Sequence, residues 1–230
     1  YLNQHNLSDV PWEELNPQAP QMFFTHKDFS AKDEYEKGFK LESLMSTYTT
    51  GLKSQQDKAN IFFTQKDADK MRQDFINKTE DELKKEYGFQ DNRDWTVGWS
   101  KADLKNHTVI ENILLYRPFD IRYINYTGTT KGIVGYPRFA VLGCMLRHNN
   151  ISLCTIRSNR DYHFDILVSN LIADKTLLSS KDDISQMPLY LYQETLGEEE
   201  RIPNLNPQTV RQIEQSLGEA VEPQELFDYI

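Results

Sequence analysis

Arginine and tyrosine crowd one short stretch of this chain. Tyr116-Arg117-Pro118-Phe119-Asp120-Ile121-Arg122-Tyr123-Ile124-Asn125-Tyr126 is followed closely by Tyr136-Pro137-Arg138. A guanidinium can grip guanine O6 and N7 with two hydrogen bonds, and it also pairs with phosphate oxygens. A tyrosine adds a stacking face and a hydroxyl. Arg117, Arg122, Tyr123 and Tyr126 on a strand or loop, facing Arg138 at a helix start, suit the chemistry of duplex DNA. A helix beginning near Pro137 would add backbone N–H donors for a phosphate. Chemistry alone gives a structural use equal standing, because Arg117 with Asp120 or Glu111 could be an ion pair that holds a sheet corner.

Other chemistries lack their residues. There is no G-x-x-x-x-G-K-(S/T) phosphate loop and no G-x-S-x-G elbow. The (N/D)-P-P-(Y/F) loop that holds a flipped adenine is missing, since Asn16-Pro17-Gln18 and Asn206-Pro207-Gln208 lack the second proline and the aromatic. Glu82-Leu83-Lys84 matches the E-x-K half of a nuclease metal site but has no Pro-Asp partner. Cys144 and Cys154 are too few for a disulfide framework or a structural zinc site, and no two of the five histidines form an H-x-x-x-H pair. No catalytic residue and no metal ligand is assigned, and no cofactor is expected in this segment.

The net charge of −9 over 230 residues runs against a nucleic-acid partner. Its distribution runs the other way. From Lys101 to Phe164 nine basic residues face four acidic ones, a local +5, while the remainder carries −14. Screening over roughly 8–10 Å at physiological salt lets that segment act locally. Twelve Tyr, twelve Phe and three Trp mark a folded, soluble chain. No apolar run approaches the ~20 residues of a membrane helix, and no signal segment opens the sequence. A cytoplasmic protein with reduced thiols and no membrane partner is expected. Both ends are expected to continue into a longer polypeptide.

The patterning predicts an α+β fold: a mixed β-sheet with flanking helices and a short helical C-terminal tail. Residues 1–30 read as an irregular arm with Trp12, Leu15, Phe23 and Phe24 as apolar anchors. Helical spacing runs from Leu41 to Tyr48, and Ala59 to Phe63 reads as a strand. Thr64 with Asp67 and Thr79 with Glu82 cap two helices, the second stopping at Gly88. Ser100 with Asp103 starts another helical turn. Strands are expected at 113–116, 121–126, 151–156, 166–168 and 188–192, with a turn from Thr127 to Gly132. Pro137 would open a helix reaching about Arg147. Glu194 to Glu200 reads as an acidic linker, and Asn206-Pro207 opens a helix ending at Gly218. Pro223 then restarts the chain.

The order of landmarks resembles the target-recognition domain at the C-terminal end of type I single-polypeptide (type ISP) restriction–modification enzymes and related adenine-specific DNA methyltransferases. Gly51-Leu52-Lys53-Ser54-Gln55-Gln56-Asp57 resembles the family's G-I-K-T-x-R-D element, with Gln56 and Ser54 replacing its Arg and Thr. Tyr116 to Arg122 matches Y-R-P-F-D-x-R, and Tyr136-Pro137-Arg138 resembles its x-P-R step. Asn150 to Leu153 followed by Arg157 resembles N-I-x-L-x-x-x-R. Val168 to Asp174 resembles V-(T/S)-x-x-I-x-D, and Pro188 to Tyr192 matches P-L-Y-L-Y.

The resemblance implies a DNA sequence-recognition module spanning residues 1–192, followed by the linker and helical segment 193–230. It would belong to a bacterial adenine-specific methyltransferase or restriction enzyme. The module would hold double-stranded DNA in register while a methyltransferase domain of the same polypeptide, using S-adenosylmethionine, flips and methylates an adenine. Arg117, Arg122, Arg138 and Arg157 are the first candidates for phosphate or base contacts, with Lys53 and Ser54 on a second loop. Tyr123, Lys131, Tyr136 and Arg160 complete the set, and Asp120 is expected to orient an arginine. The alternative is a protein-interaction or scaffolding domain with structural arginines.

Overall fold

In the computed structural model, residues 4–17, 19, 22–26, 28–146, 149–157, 165–195 and 198–230 are described, the side chains of 194, 195 and 198 excepted. Two compact units divide the chain, Tyr1–Lys40 and Leu41–Ile230. The first holds a 3-10 turn at Leu7–Asp9 and the short helix α1, Lys32–Tyr35. Its expected anchors Trp12 and Phe24 are instead largely exposed, at 72% and 89%.

Local capping builds the helical side of the second unit. After α2 (Leu41–Leu44) and α3 (Asp57–Asn60) come α4 (Gln65–Asn77), α5 (Glu80–Tyr87) and α6 (Val97–Asn106). The Thr64 side chain accepts the Asp67 N–H, and α4 turns Ala68, Met71 and Phe75 inward. Thr79 and Glu82 close a reciprocal capping box, and left-handed Gly88 ends α5. Thr96 caps α6 rather than Ser100, whose hydroxyl donates back to the Thr96 carbonyl from within the helix. Where a strand was expected at Ala59–Phe63, α3 and a single backbone bridge from Phe62 to Tyr123 stand instead. The Asp57–Asn60 turn consumes the N-terminal half of that apolar run.

The strands form three small antiparallel sheets. β1 (Glu111–Arg117) and β2 (Asp120–Tyr126) make a hairpin joined by Pro118-Phe119, with Arg117 opposite Asp120. β3 (Ser152–Ile156) lies between β4 (Ile166–Ser169) and β5 (Ile184–Pro188). β6 (Tyr190–Thr195) pairs with β7 (Glu198–Pro203), so the expected acidic linker, Glu194 to Glu200, overlaps the paired ends of two strands. A two-stranded ribbon with wet faces tolerates charge on both strands, which erased the alternation a strand reading needs. Parallel contacts occur as single bridges, Leu52 to Asp174 and Leu115 to Ala173. The architecture is mixed α+β, as the sequence predicts.

The main core joins α4, α5 and α6 to the β1–β2 hairpin through Phe75, Leu83, Trp95, Leu114 and Ile124. A second core sets Leu153 and Met187 against Leu226 and Phe227. The last two helices, α8 (Pro207–Leu217) and α9 (Pro223–Tyr229), therefore belong to the same compact unit as the sheets. Asn204 fastens this join, its amide donating to the carbonyls of Thr47 and Pro188 at 2.7 and 2.9 Å. No helix among the described residues is long and apolar enough to cross a membrane.

Candidate nucleic-acid interface

The segment 49–55 stitches three parts of the unit together. Thr49 exchanges backbone hydrogen bonds with Gln186 on β5, and Leu52 donates to the Ala173 carbonyl at 2.8 Å. Lys53 and Tyr136 exchange a reciprocal pair at 3.0 Å, and Gly135 donates to Ser54 at 3.1 Å. Gly51 makes the crossing possible. Its φ is +65°, and a Cβ there would lie 2.8 Å from the Ala173 carbonyl oxygen.

This stitching brings Lys53, Tyr136 and Arg138 together. The Tyr136 ring has the Lys53 ammonium 5.8 Å and the Arg138 guanidinium 5.3 Å from its centroid. Neither cation forms a salt bridge among the described residues. Asp94 stands beside them. The exposed Arg93 guanidinium binds it, and together with the Tyr136 hydroxyl holds its carboxyl below the usual range. Arg138 sits exposed at φ +57°, just before α7 (Phe139–Leu142). Beneath it the buried Tyr126 hydroxyl donates to the Pro137 carbonyl at 2.7 Å, so Tyr126 supports the loop instead of facing a ligand. Burial pushes that hydroxyl's pKa up. The expected helix to about Arg147 is a single turn followed by a 3-10 turn at Gly143–Met145, too short to offer a phosphate site.

Next to this group lies an open polar cleft of about 290 Å³, lined by Lys53, Gln55, Gln56, Arg117, Asp174 and Lys175 among others. Most of its polar groups are bonded within the protein. Ser54, 4% exposed, donates to Asp57, which also accepts the Tyr116 hydroxyl at 2.8 Å. Burial and that bond raise the Tyr116 pKa. Arg117 donates to Asp174 at 2.8 Å and lies 3.9 Å over the Tyr116 ring, and its side chain is 36% exposed. Asp174 also accepts the N–H and hydroxyl of Thr176. Lys175 is paired with Asp183 at 2.7 Å.

The remaining sequence candidates divide cleanly. Arg122 makes two hydrogen bonds to Asp120, at 2.5 and 2.7 Å, and lies 3.5 Å over the Phe63 ring with its side chain 16% exposed. Asp120 thus orients an arginine, as expected, and that contact holds its carboxyl below the usual range. Tyr123 is half-buried against the main core. Lys131 is exposed at φ +57°, its ammonium 5.1 Å over the Trp99 ring, in a turn gathered by the buried Asp103 carboxylate. Arg157 is exposed beyond β3, with its backbone N–H on the Asp183 carbonyl. Arg160 lies outside the described residues.

Sequence reasoning missed Arg93 and the organising role of Asp94. The signal was Asn92-Arg93-Asp94, an Asx turn in which the Asn92 side chain accepts the N–H groups of Asp94 and Trp95. Among the described residues, no three His, Cys, Asp or Glu side chains gather as a metal site.

Lys53 and Arg138 are thus held on stitched loops of an α+β unit, with Arg138 open to solvent. Residues 43–230 match the type ISP C-terminal specificity domain, and the chain belongs to that family. That family's description makes it a specificity domain. The fold is similar to the cryo-EM structure of a DrdV–DNA complex, with a TM-score of 0.68, 17% identity, and coverage of 98% of this chain and 24% of that one. It is similar to a nuclease-deletion mutant of the type ISP restriction–modification enzyme LlaGI in complex with a DNA substrate mimic, with a TM-score of 0.58, 16% identity, and 87% and 20% coverage. A third likeness is to the ATP-dependent type ISP restriction–modification enzyme LlaBIII bound to DNA, with a TM-score of 0.53, 16% identity, and 82% and 13% coverage. The chain thus spans a quarter or less of each of these longer chains. No curated protein matches it in sequence.

Proposed function

We propose that this domain reads a duplex DNA target and holds it in register for a methyltransferase domain of the same bacterial, cytoplasmic polypeptide. That separate domain would use S-adenosylmethionine to methylate an adenine at N6. The observation that carries the reading is the Lys53–Tyr136–Arg138 group: two cations flank one aromatic ring, and neither is salt-bridged among the described residues, although Asp94 lies close enough to feel the Lys53 charge. Phosphates would complete such cations, and contacts of this kind fix register. Arg157 and Lys131 extend the exposed basic set. Arg117, half satisfied by Asp174, would supply a contact from its open side. Arg122, Tyr123 and Ser54 would act by holding the loops in place.

Selection from a randomised duplex library with the 230-residue chain tests this. Enrichment of one short sequence at low salt is expected, and retention of the pool without enrichment, or no retention at all, refutes it. The carboxylate-locked Arg117 and Arg122 favour a second reading, a scaffolding domain that touches protein alone. That reading requires the same chain to show no duplex binding.

A further inference from the structure

The β1–β2 hairpin carries an oddity that neither the core nor the basic group uses. Phe119, the second residue of a two-residue connection, is 90% exposed and held at φ +62°. Both features are unfavourable in the isolated domain. A large aromatic gains nothing from water, and a bulky side chain in the left-handed region strains the backbone where Gly or Asn would not. The turn is held rigidly in spite of this. Arg117 on one leg is fixed to Asp174, and Arg122 on the other is fixed to Asp120 and stacked on Phe63. These pairs also leave the tip without net charge.

We propose that Phe119 is a wedge that enters a base step of the bound duplex and stacks on the exposed base. This rests on the DNA reading above and goes beyond it, since it assigns a deforming, uncharged contact. Three features favour DNA over a protein partner. The exposed apolar side chains here are Phe119, Ile121 at 55% and Phe63 at 77% under Arg122, far fewer than the roughly 20–30 residues a side of a stable protein interface. Phe and Ile are among the side chains that wedge between base pairs. Finally, the same hairpin sends Arg117, two residues before Phe119, into the wall of the cleft that Lys53 also lines.

The test uses a duplex enriched by the wild-type chain, with 2-aminopurine placed in turn at each adenine position. Wild type is expected to raise the probe's fluorescence at one step, the mark of lost stacking. Phe119→Gly fits the left-handed φ without strain, so the fold should persist, as far-UV circular dichroism would confirm. The variant should select the same sequence with the same salt dependence, bind roughly 5- to 150-fold more weakly, and lose the fluorescence rise. An equal rise with Phe119→Gly overturns the wedge, as does the absence of any responsive step with wild type. Failure of wild type to select any duplex would instead sink the DNA reading itself.

Discussion

Arg138 and Arg122 should fail in opposite ways. Arg138 is exposed, stacked loosely on Tyr136, and unpaired with any described carboxylate. Each phosphate neutralised by such a cation contributes a slope of about −0.9 to log affinity against log salt. Arg138→Ala should therefore make the slope shallower by about one contact. Across a fourfold change in salt, from about 50 to 200 mM, the affinity loss should shrink by roughly 3.5-fold relative to wild type. Stability should change little, because Ala inherits the same positive φ and no ion pair is broken. Arg122 is already held by both oxygens of Asp120 and by the Phe63 face. Arg122→Ala should leave the slope unchanged and lower folding stability by about 1–3 kcal/mol, the sum of charge-assisted and cation–π contacts at a partly wet site. Fluorescence anisotropy at four salt concentrations, with urea unfolding of both variants, measures each quantity. A wild-type slope in Arg138→Ala, together with a shallower one in Arg122→Ala, would refute the assignment of free and committed guanidinium groups.

Gly51→Ala places a methyl group against the Ala173 carbonyl at a disfavoured φ, so a loss of about 2–4 kcal/mol is expected in urea unfolding; a change under about 0.5 kcal/mol would contradict the close crossing. Asp91 is held below the usual carboxylate range mainly by Lys84, and Asp120 by Arg122. Because their folded pKa values are depressed, the stability they contribute is fully present above the ordinary carboxylate pKa and is lost as pH falls through the lower folded value. Unfolding midpoints should therefore decline below about pH 4, and Asp120→Asn should show a smaller decline than wild type. Cys154 is fully buried and its thiol is pushed up to about 12, while Cys144 is partly exposed. Iodoacetamide should label Cys144 first in the native protein and reach Cys154 only with denaturant, as peptide mass spectrometry would report.

What the sequence determined by itself is mostly what neighbours decide. Thr64, Thr79, Asn206, Gly88 and Gly218 mark helix ends because caps link residues two to four positions apart. The Tyr116–Arg122 and Gly51–Asp57 elements were legible as motifs, and they indicated the family. Tertiary structure alone decided which candidates remain available. Arg117 meets Asp174, and Lys53 meets Tyr136, through bridges between distant segments that leave no local pattern. The same cause hid β7 and its pairing with β6, whose first residues lie within the strand expected at 188–192. A guanidinium in the sequence is only a charge. Whether it faces solvent or a carboxylate depends on how distant segments are brought together, and for Arg122 and Arg138 that packing settled the answer in opposite directions.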